Sequence, residues 1–438
     1  MPAMPMGESD FSLRKMRIAA VCLLGQLFGT SMFIIGPLSM LMLPMTKEFG
    51  WSRSQFSFST SAVMWTGALA APLMGRLIDR RGVRPVVLPG VTMMGLLTVA
   101  LSRQNARLWL FYLLFCLMGV FGALAGAYGK VMGSLFTRNR GKALATVGAF
   151  SPIIASVFPQ ATNQLLLKFG WRGIFWGWGS VILAVAVVFY FFLEEPAPTT
   201  PLPAAAPGGS AGTQLAGMTT AEALRGRSLW IMIAAGLAGG ILGSGWPQHS
   251  FAFQLSRGFS QQMVVNALTI SLLIAPLATM LGGWSCDKVS TARVYIPFSL
   301  MAALSMYLQT RLWANHGGLP LLFTAVTLST MAINGQMPML GYFYTRFFGL
   351  KSYAEIAGIY MAVISLVMGF SAPLVGILYE RSHSYDRAMT GMIAGYIIVA
   401  VLYLAIGRYR YTPDFKPMAT SESKAVAVGE IANSVGVR

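Results

Sequence analysis

The stretch GRLIDRRGVRP, Gly75–Pro85, sets four arginines and one aspartate into eleven residues. The stretch directly before it, STSAVMWTGALAAPLM (59–74), carries no charge at all. A long uncharged apolar run that stops at a cluster of bases is how a membrane span meets its aqueous edge. The rest of the chain repeats this contrast. Of its 438 residues 55% are hydrophobic and only 11% charged, and the mean hydropathy is +0.63. A soluble domain carries about a quarter charged residues. So little charge cannot clothe a water-soluble globule of this size, and the composition implies a protein that crosses a bilayer many times.

Twelve apolar runs are long enough for spans, near 16–43, 55–78, 85–102, 108–136, 142–167, 173–193, 229–254, 262–285, 294–312, 319–345, 354–378 and 388–407. A spanning helix needs about 20 apolar residues, and such edges carry an error of roughly four residues. Short alternating segments of the barrel kind are missing. The expected fold class is therefore an all-α membrane protein with twelve transmembrane helices. The first run follows Arg14, Lys15 and Arg17. No small-residue cleavage site follows it, so it reads as a first span and not as a removed signal peptide.

The formal net charge of +18 is explained by topology. With the N-terminus inside, the inner segments hold Arg14, Lys15 and Arg17, then Arg76, Arg80, Arg81 and Arg84, then Arg138, Arg140 and Lys142, and further pairs down to the C-terminal tail. These outnumber the bases of the opposite loops roughly two to one, which places both termini in the cytoplasm. No nucleic-acid partner is needed to account for the charge. Cys22, Cys116 and Cys286 show no CxxC spacing, so no zinc site or disulfide framework is indicated. No phosphate-binding loop or nucleophile–base pair stands out, and the chain does not read as an enzyme. No cofactor or metal is expected.

Residues 194–228 interrupt the spans with a Pro-, Ala- and Gly-rich stretch that reads as a cytoplasmic linker. Six runs lie on each side. The expected organisation is a tail at 1–15, a six-helix half at 16–193, the linker at 194–228, a second half at 229–407 and a tail at 408–438. The halves match at a fixed offset of 208 residues. Gly75 and Asp79 correspond to Gly283 and Asp287. Gly133, Thr137 and Arg138 correspond to Gly341, Thr345 and Arg346, Gly50-Trp51-Ser52 to Gly258-Phe259-Ser260, and Gly141 to Gly349. Four matches at one offset indicate a duplicated six-helix unit, the parallel repeat of carriers that bind substrate near mid-membrane between their halves.

On these residues the chain resembles the major facilitator superfamily, whose signature between helices 2 and 3 is matched by Gly75, Asp79, Arg80, Arg81, Gly82 and Arg84. A narrower resemblance is to the monocarboxylate transporter branch, including bacterial carriers similar to oxalate/formate exchangers. Its marks are EFGWSRSQFS (48–57), LFTRNRGKALA (135–145), KFGWRGIFWGWG (168–179) and PLVGILYERSHSY (373–385). Animal members carry a base in helix 1 and an Asp/Arg pair in helix 8. Here the first run offers Gln26 and Thr30, and the eighth has no charge before Asp287.

The resemblance implies a secondary transporter of a small organic acid anion, a monocarboxylate or aromatic carboxylate, moved with protons by alternating access. It further implies a monomer in the inner or plasma membrane whose partners are the substrate anion, the proton and the lipid bilayer. Asp79 is assigned an inner-gate role, with Arg80 and Arg138 as partners and Gly75, Gly82, Asp287 and Arg346 as further gate positions. The candidate substrate or proton residues are Lys130, the one cation well inside a run, and His249, which titrates near physiological pH. The polar groups Gln26, Thr30, Asn334 and Gln336 and the phenols Tyr128 and Tyr360 join them. Snorkelling of Lys130 and plain packing of the polar groups and tyrosines stand as alternatives. The competing function is a drug or metabolite/proton efflux pump on the same fold, although ATVGAFSPIIASVFPQ (145–160) lacks the double glycine of the antiporter motif.

Overall fold

The computed structural model describes residues 13–28, 37–124, 127–128, 131, 151–193, 217–315, 318–349 and 351–411. Span 1 is the pair Leu13–Leu27 and Pro37–Phe49, span 2 is Arg53–Arg81, span 3 is Arg84–Leu101, and span 4 opens with Leu108–Gly122. Spans 5 and 6 run within Val157–Phe192, which doubles back at Gly170 (φ 65°, ψ −170°). A short helix, Thr220–Arg225, precedes the second half. Span 7 is Arg227–Gly243 with Trp246–Ser256, span 8 is Gln261–Lys288, and span 9 is Tyr295–Thr310. Span 10 is Gly318–Phe348, span 11 is Tyr353–Met368 with Ser371–Ser382, and span 12 is Asp386–Ala405. The protein is all-α, with twelve spans in two six-helix halves.

Successive spans run antiparallel, so the loops fall at two ends. The end that carries residues 13 and 411 is called proximal here, and the other distal. Distal loops are tied within each half: the Trp51 indole donates to the Ala106 carbonyl at 3.3 Å, and Arg257 pairs with Asp386 at 2.9 Å. Proximal ends are tied likewise, with Arg227 donating to the Ala405 carbonyl at 2.8 Å.

The 208-residue repeat is visible in the backbone. Gly50 (φ 68°) and Gly258 (φ 89°) both take the left-handed conformation that a side chain resists. The serines two residues on then cap the following helices: Ser52 accepts from the Gln55 N–H and Ser260 from the Met263 N–H. Glycine turns the chain and serine starts the helix, at equivalent points in both halves.

Spans 7 and 11 differ from the continuous helices expected at 229–254 and 354–378. Each breaks near its middle, at Ser244–Gly245 and at Gly369–Phe370. The breaks face each other, the Gly245 N–H donating to Ser371 Oγ at 2.7 Å. A broken helix frees backbone groups that the bilayer cannot satisfy, so it is tolerated only where protein supplies partners. An apolar run shows no hydropathy dip at such a point.

Candidate functional site

Between described residues, the hydrogen bonds that cross from one half to the other lie in the distal part of the bundle. They form two seams. The first joins span 2 to spans 7 and 11. Ser54, in the first turn of span 2, gives its backbone N–H to Glu380 Oε1 at 2.8 Å and its hydroxyl to Oε2 at 3.1 Å. The first N–H groups of a helix have no partner within it. Here an acid from the opposite half supplies one, and its charge suits the positive helix terminus. Deeper in the membrane Thr60 donates to Gln248 Oε1 at 2.7 Å. Ser61 donates to the Gly369 carbonyl and the Trp65 indole to the Leu366 carbonyl at 3.0 Å. The carbonyls freed by the break in span 11 are thus taken up by side chains of the other half.

His249 sits in this seam with no exposed surface. Its Nε2 lies 2.9 Å from the Ala372 carbonyl and 3.1 Å from Ser57 Oγ, and its Nδ1 lies 3.2 Å from the Tyr385 hydroxyl. Arg53 donates to that hydroxyl at 2.5 Å and stacks on the Tyr379 ring at 3.7 Å. Close approach of span 11 to span 2 is possible because residue 376 is glycine: a Cβ there would fall 2.7 Å from the backbone N and Cα of Ser54.

The second seam joins span 5 to span 8 and is made of carboxamides. Gln160 Nε2 donates to Asn266 Oδ1 at 2.9 Å, and Asn163 Nδ2 to Gln262 Oε1 at 2.8 Å. Gln261 Nε2 donates to Asn163 Oδ1 at 2.5 Å, and Gln262 Nε2 to Gln160 Oε1 at 3.1 Å. Each amide offers two donors and two lone-pair sites, so the cluster satisfies itself without charge.

A clamp within the first half stiffens the same end. The Glu48 carboxylate accepts from Arg172 at 2.8 Å and from the Trp171 indole at 2.6 Å. These bonds, that from Arg172 foremost, hold its carboxyl below the usual carboxylate range.

The other sequence candidates are dispersed. Thr30, Lys130 and Arg138, and the segment LFTRNRGKALA, lie outside the described residues. Gln26 is exposed on span 1. Tyr128 is buried against Gly25, and Tyr360 against Gly236. Asn334 donates to the Thr330 carbonyl of its own helix at 2.9 Å, and Gln336 accepts from Tyr295 at 3.0 Å. These bonds fit local packing, and among the described residues they do not converge on one point.

At the proximal end, Asp79 and Arg80 are exposed on the last turn of span 2, and Gly82 (φ 91°) ends it. Asp287 is exposed and Arg346 is buried between the rings of Tyr342 and Tyr409, at 5.5 and 4.8 Å. A Cβ on Gly75 or on Gly283 would meet nothing within 4 Å. Among the described residues, open space lies beside these two equivalent glycines.

Comparison with known proteins fits this architecture. A family model described as Major Facilitator Superfamily matches residues 20–308. The chain belongs to that superfamily. Its members are transporters, and the apolar helices make this chain a multi-pass membrane protein. A solved bacterial homologue of the human lysosomal transporter Spinster, in an inward-facing and unoccupied conformation, superposes with a TM-score of 0.65. It covers 91% of this chain and 97% of its own at 14% identity, which supports the shared fold. The multidrug resistance protein MdtL of Escherichia fergusonii is 26% identical over 175 residues, 40% of this chain. The MdtL of Shigella flexneri matches to the same extent. The match covers 43% of these relatives, less than half their length.

Sequence reasoning missed most of this superfamily member's distal gate. Arg53, Ser57, Glu380 and Tyr385 fall within the marks at 48–57 and 373–385, and Thr60 and Gln248 belong to no motif. One signal was available. Three of the four monocarboxylate-branch marks, at 48–57, 168–179 and 373–385, supply Glu48, Arg53, Ser54, Trp171, Arg172, Gly376, Glu380 and Tyr385. Those marks supply the contacts between span 2 and span 11 and the clamp beside them.

Proposed function

We propose that the protein is a secondary transporter of a small organic acid anion, moved together with protons by alternating access. The observation that carries this reading is the placement of charge. Of the fourteen acidic residues in the sequence, every one lies in a tail, the linker, a loop or a terminal turn of a span. Lys130 falls inside the fourth apolar run of the sequence, and His249 is fully buried on span 7. Ionisable groups inside a membrane are costly and mark substrate or ion pathways. A bilayer interior that holds cationic or protonatable nitrogen and no carboxylate suits an anion and gives a cationic drug no counter-charge. The hydrogen-bonded distal seams support reading this as a state closed at its distal end, the outer end in the orientation that charge bias supports.

The test is a substrate panel. Cells that express the chain, and proteoliposomes that contain it, should accumulate labelled monocarboxylates or aromatic carboxylates. If no carboxylate on a broad panel is moved, or competes, the anion reading is abandoned. The similarity to multidrug resistance proteins favours a second reading, drug efflux. A resistance screen in an efflux-deficient host separates the two: raised resistance to cationic drugs without carboxylate uptake selects efflux.

A further inference from the structure

The hydrogen bonds at His249 favour one tautomer, in which Ser57 Oγ at 3.1 Å shares the Nε2 hydrogen. The Ala372 carbonyl can only accept, so Nε2 carries the hydrogen and Nδ1 the lone pair. Tyr385 must then donate its O–H to Nδ1. A guanidinium has donors only, so Arg53 gives its N–H to the Tyr385 oxygen. The chain from Arg53 through Tyr385 and His249 to Ala372 runs one way, and each group plays the role left to it.

A proton added at Nδ1 reverses the middle link. The Tyr385 hydrogen loses its acceptor. The new Nδ1–H faces an oxygen already engaged by Arg53. A second positive charge then stands near the guanidinium, where burial leaves it little screening. The groups that face His249 from the packed elements are Arg53 on span 2, Glu380 and Tyr379 on span 11, and Tyr385 at the head of span 12. Glu380 opposes the added charge, but its two oxygens are held by Ser54. A cavity of about 570 Å³ on the distal face, lined by Lys47, Arg53, Tyr379, Glu380 and His383 among others, ends on the Arg53 end of this chain.

We propose that the Arg53–Tyr385–His249 chain is a proton-sensing latch of the distal gate, closed while His249 is neutral and released when Nδ1 is protonated. Arg53 and Tyr385 are positioning residues: they hold the lone pair of Nδ1 in use. The inference rests on the alternating-access reading above, and it turns His249 from a general coupling candidate into the group that decides when the distal end opens.

The experiment measures gate opening without substrate. Spin labels are placed at Arg103→Cys and Asn315→Cys, exposed distal positions of opposite halves, with the native cysteines replaced by alanine. Their separation is followed from about pH 8 to about pH 3, a window wide enough for a histidine this deeply buried. The separation is expected to lengthen as pH falls. His249→Gln should abolish the response. Tyr385→Phe and Arg53→Gln should each move the midpoint upward by about one pH unit, tenfold in proton affinity, the size of one lost hydrogen bond. Arg53→Lys, which keeps charge and donor, should stay near the wild-type midpoint. A wild-type response in His249→Gln overturns the proposal. So do Tyr385→Phe and Arg53→Gln variants that loosen the gate equally at every pH with an unmoved midpoint. No substrate enters the assay. Failure to move carboxylates therefore sinks the substrate reading alone, and a flat pH response sinks the latch alone.

Discussion

Gly376→Ala should wedge the distal gate open. The added methyl would stand 2.7 Å from the N and Cα of Ser54 and 3.1 Å from the Arg53 carbonyl carbon. These are backbone atoms of a capped helix, and no rotamer change moves them. Relief requires the two halves to part. Overpacking of this kind costs about 2 kcal/mol, roughly thirtyfold in an equilibrium constant. The helix-propensity gain of alanine over glycine, about 1 kcal/mol, does not offset it, because span 11 is helical whether the gate is open or shut. The substitution should thus leave folding intact and shift only the balance between states. The assay is the same label separation at about pH 8, where the unmodified gate is shut. Gly358→Ala is the control: it lies on the same span, and a Cβ there meets nothing within 4 Å. A Gly376→Ala protein that stays as closed as the Gly358→Ala protein would refute the assignment of the seam between spans 2 and 11 as the gate.

Other outcomes follow from the remaining contacts. Asn163→Leu removes bonds to Gln261 and Gln262. Since each membrane hydrogen bond is worth about 0.6 kcal/mol, it should loosen the gate a few-fold at every pH and leave the midpoint of opening unmoved, as the label separation will show. Glu48→Gln should lower stability above about pH 5, where the parent carries the ionised clamp to Arg172. The Glu48 carboxyl is depressed from its ordinary 4.5 by Arg172 and Trp171, so its clamp is fully present above that value and fails only as pH falls through the lower, folded one. Thermal unfolding followed by circular dichroism should show the variant less stable than the parent above about pH 5, and the two should converge as pH falls and the parent's carboxyl is protonated. Asp79→Asn should slow uptake of every substrate alike; a changed order of preference in competition assays would mean that Asp79 belongs to the substrate site.

The global architecture was legible because bilayer thickness and backbone satisfaction leave so few alternatives. GRLIDRRGVRP marked a span end, and its copy at Gly283 and Asp287 marked the duplication. The turns at Gly50 and Gly258 were legible for a local reason, since glycine followed by a serine cap two residues on has one structural meaning. The gate was not legible. Ser57, Thr60 and Gln248 look like scattered polar residues in apolar runs, and only packing brings spans 2 and 7 together. Glu380 looked like a surface acid until it proved to sit on the Ser54 N–H of the other half. Gly376 carries no signal in sequence, because its importance depends on a helix more than 300 residues away. Gln160, Asn163 and Asn266 are polar groups in apolar runs, and they bond between helices. Tyr128 and Tyr360 fill gaps beside glycines, an outcome that periodicity alone cannot separate from a binding role.

The central claim is that an organic anion and a proton cross together. Proteoliposomes loaded with a pH-sensitive dye test it most directly. A carboxylate that the uptake panel identifies is added outside at equal internal and external pH. Internal acidification that depends on the protein and saturates with carboxylate is the predicted result. Carboxylate entry without acidification, or acidification at the same rate in protein-free vesicles, would contradict the account.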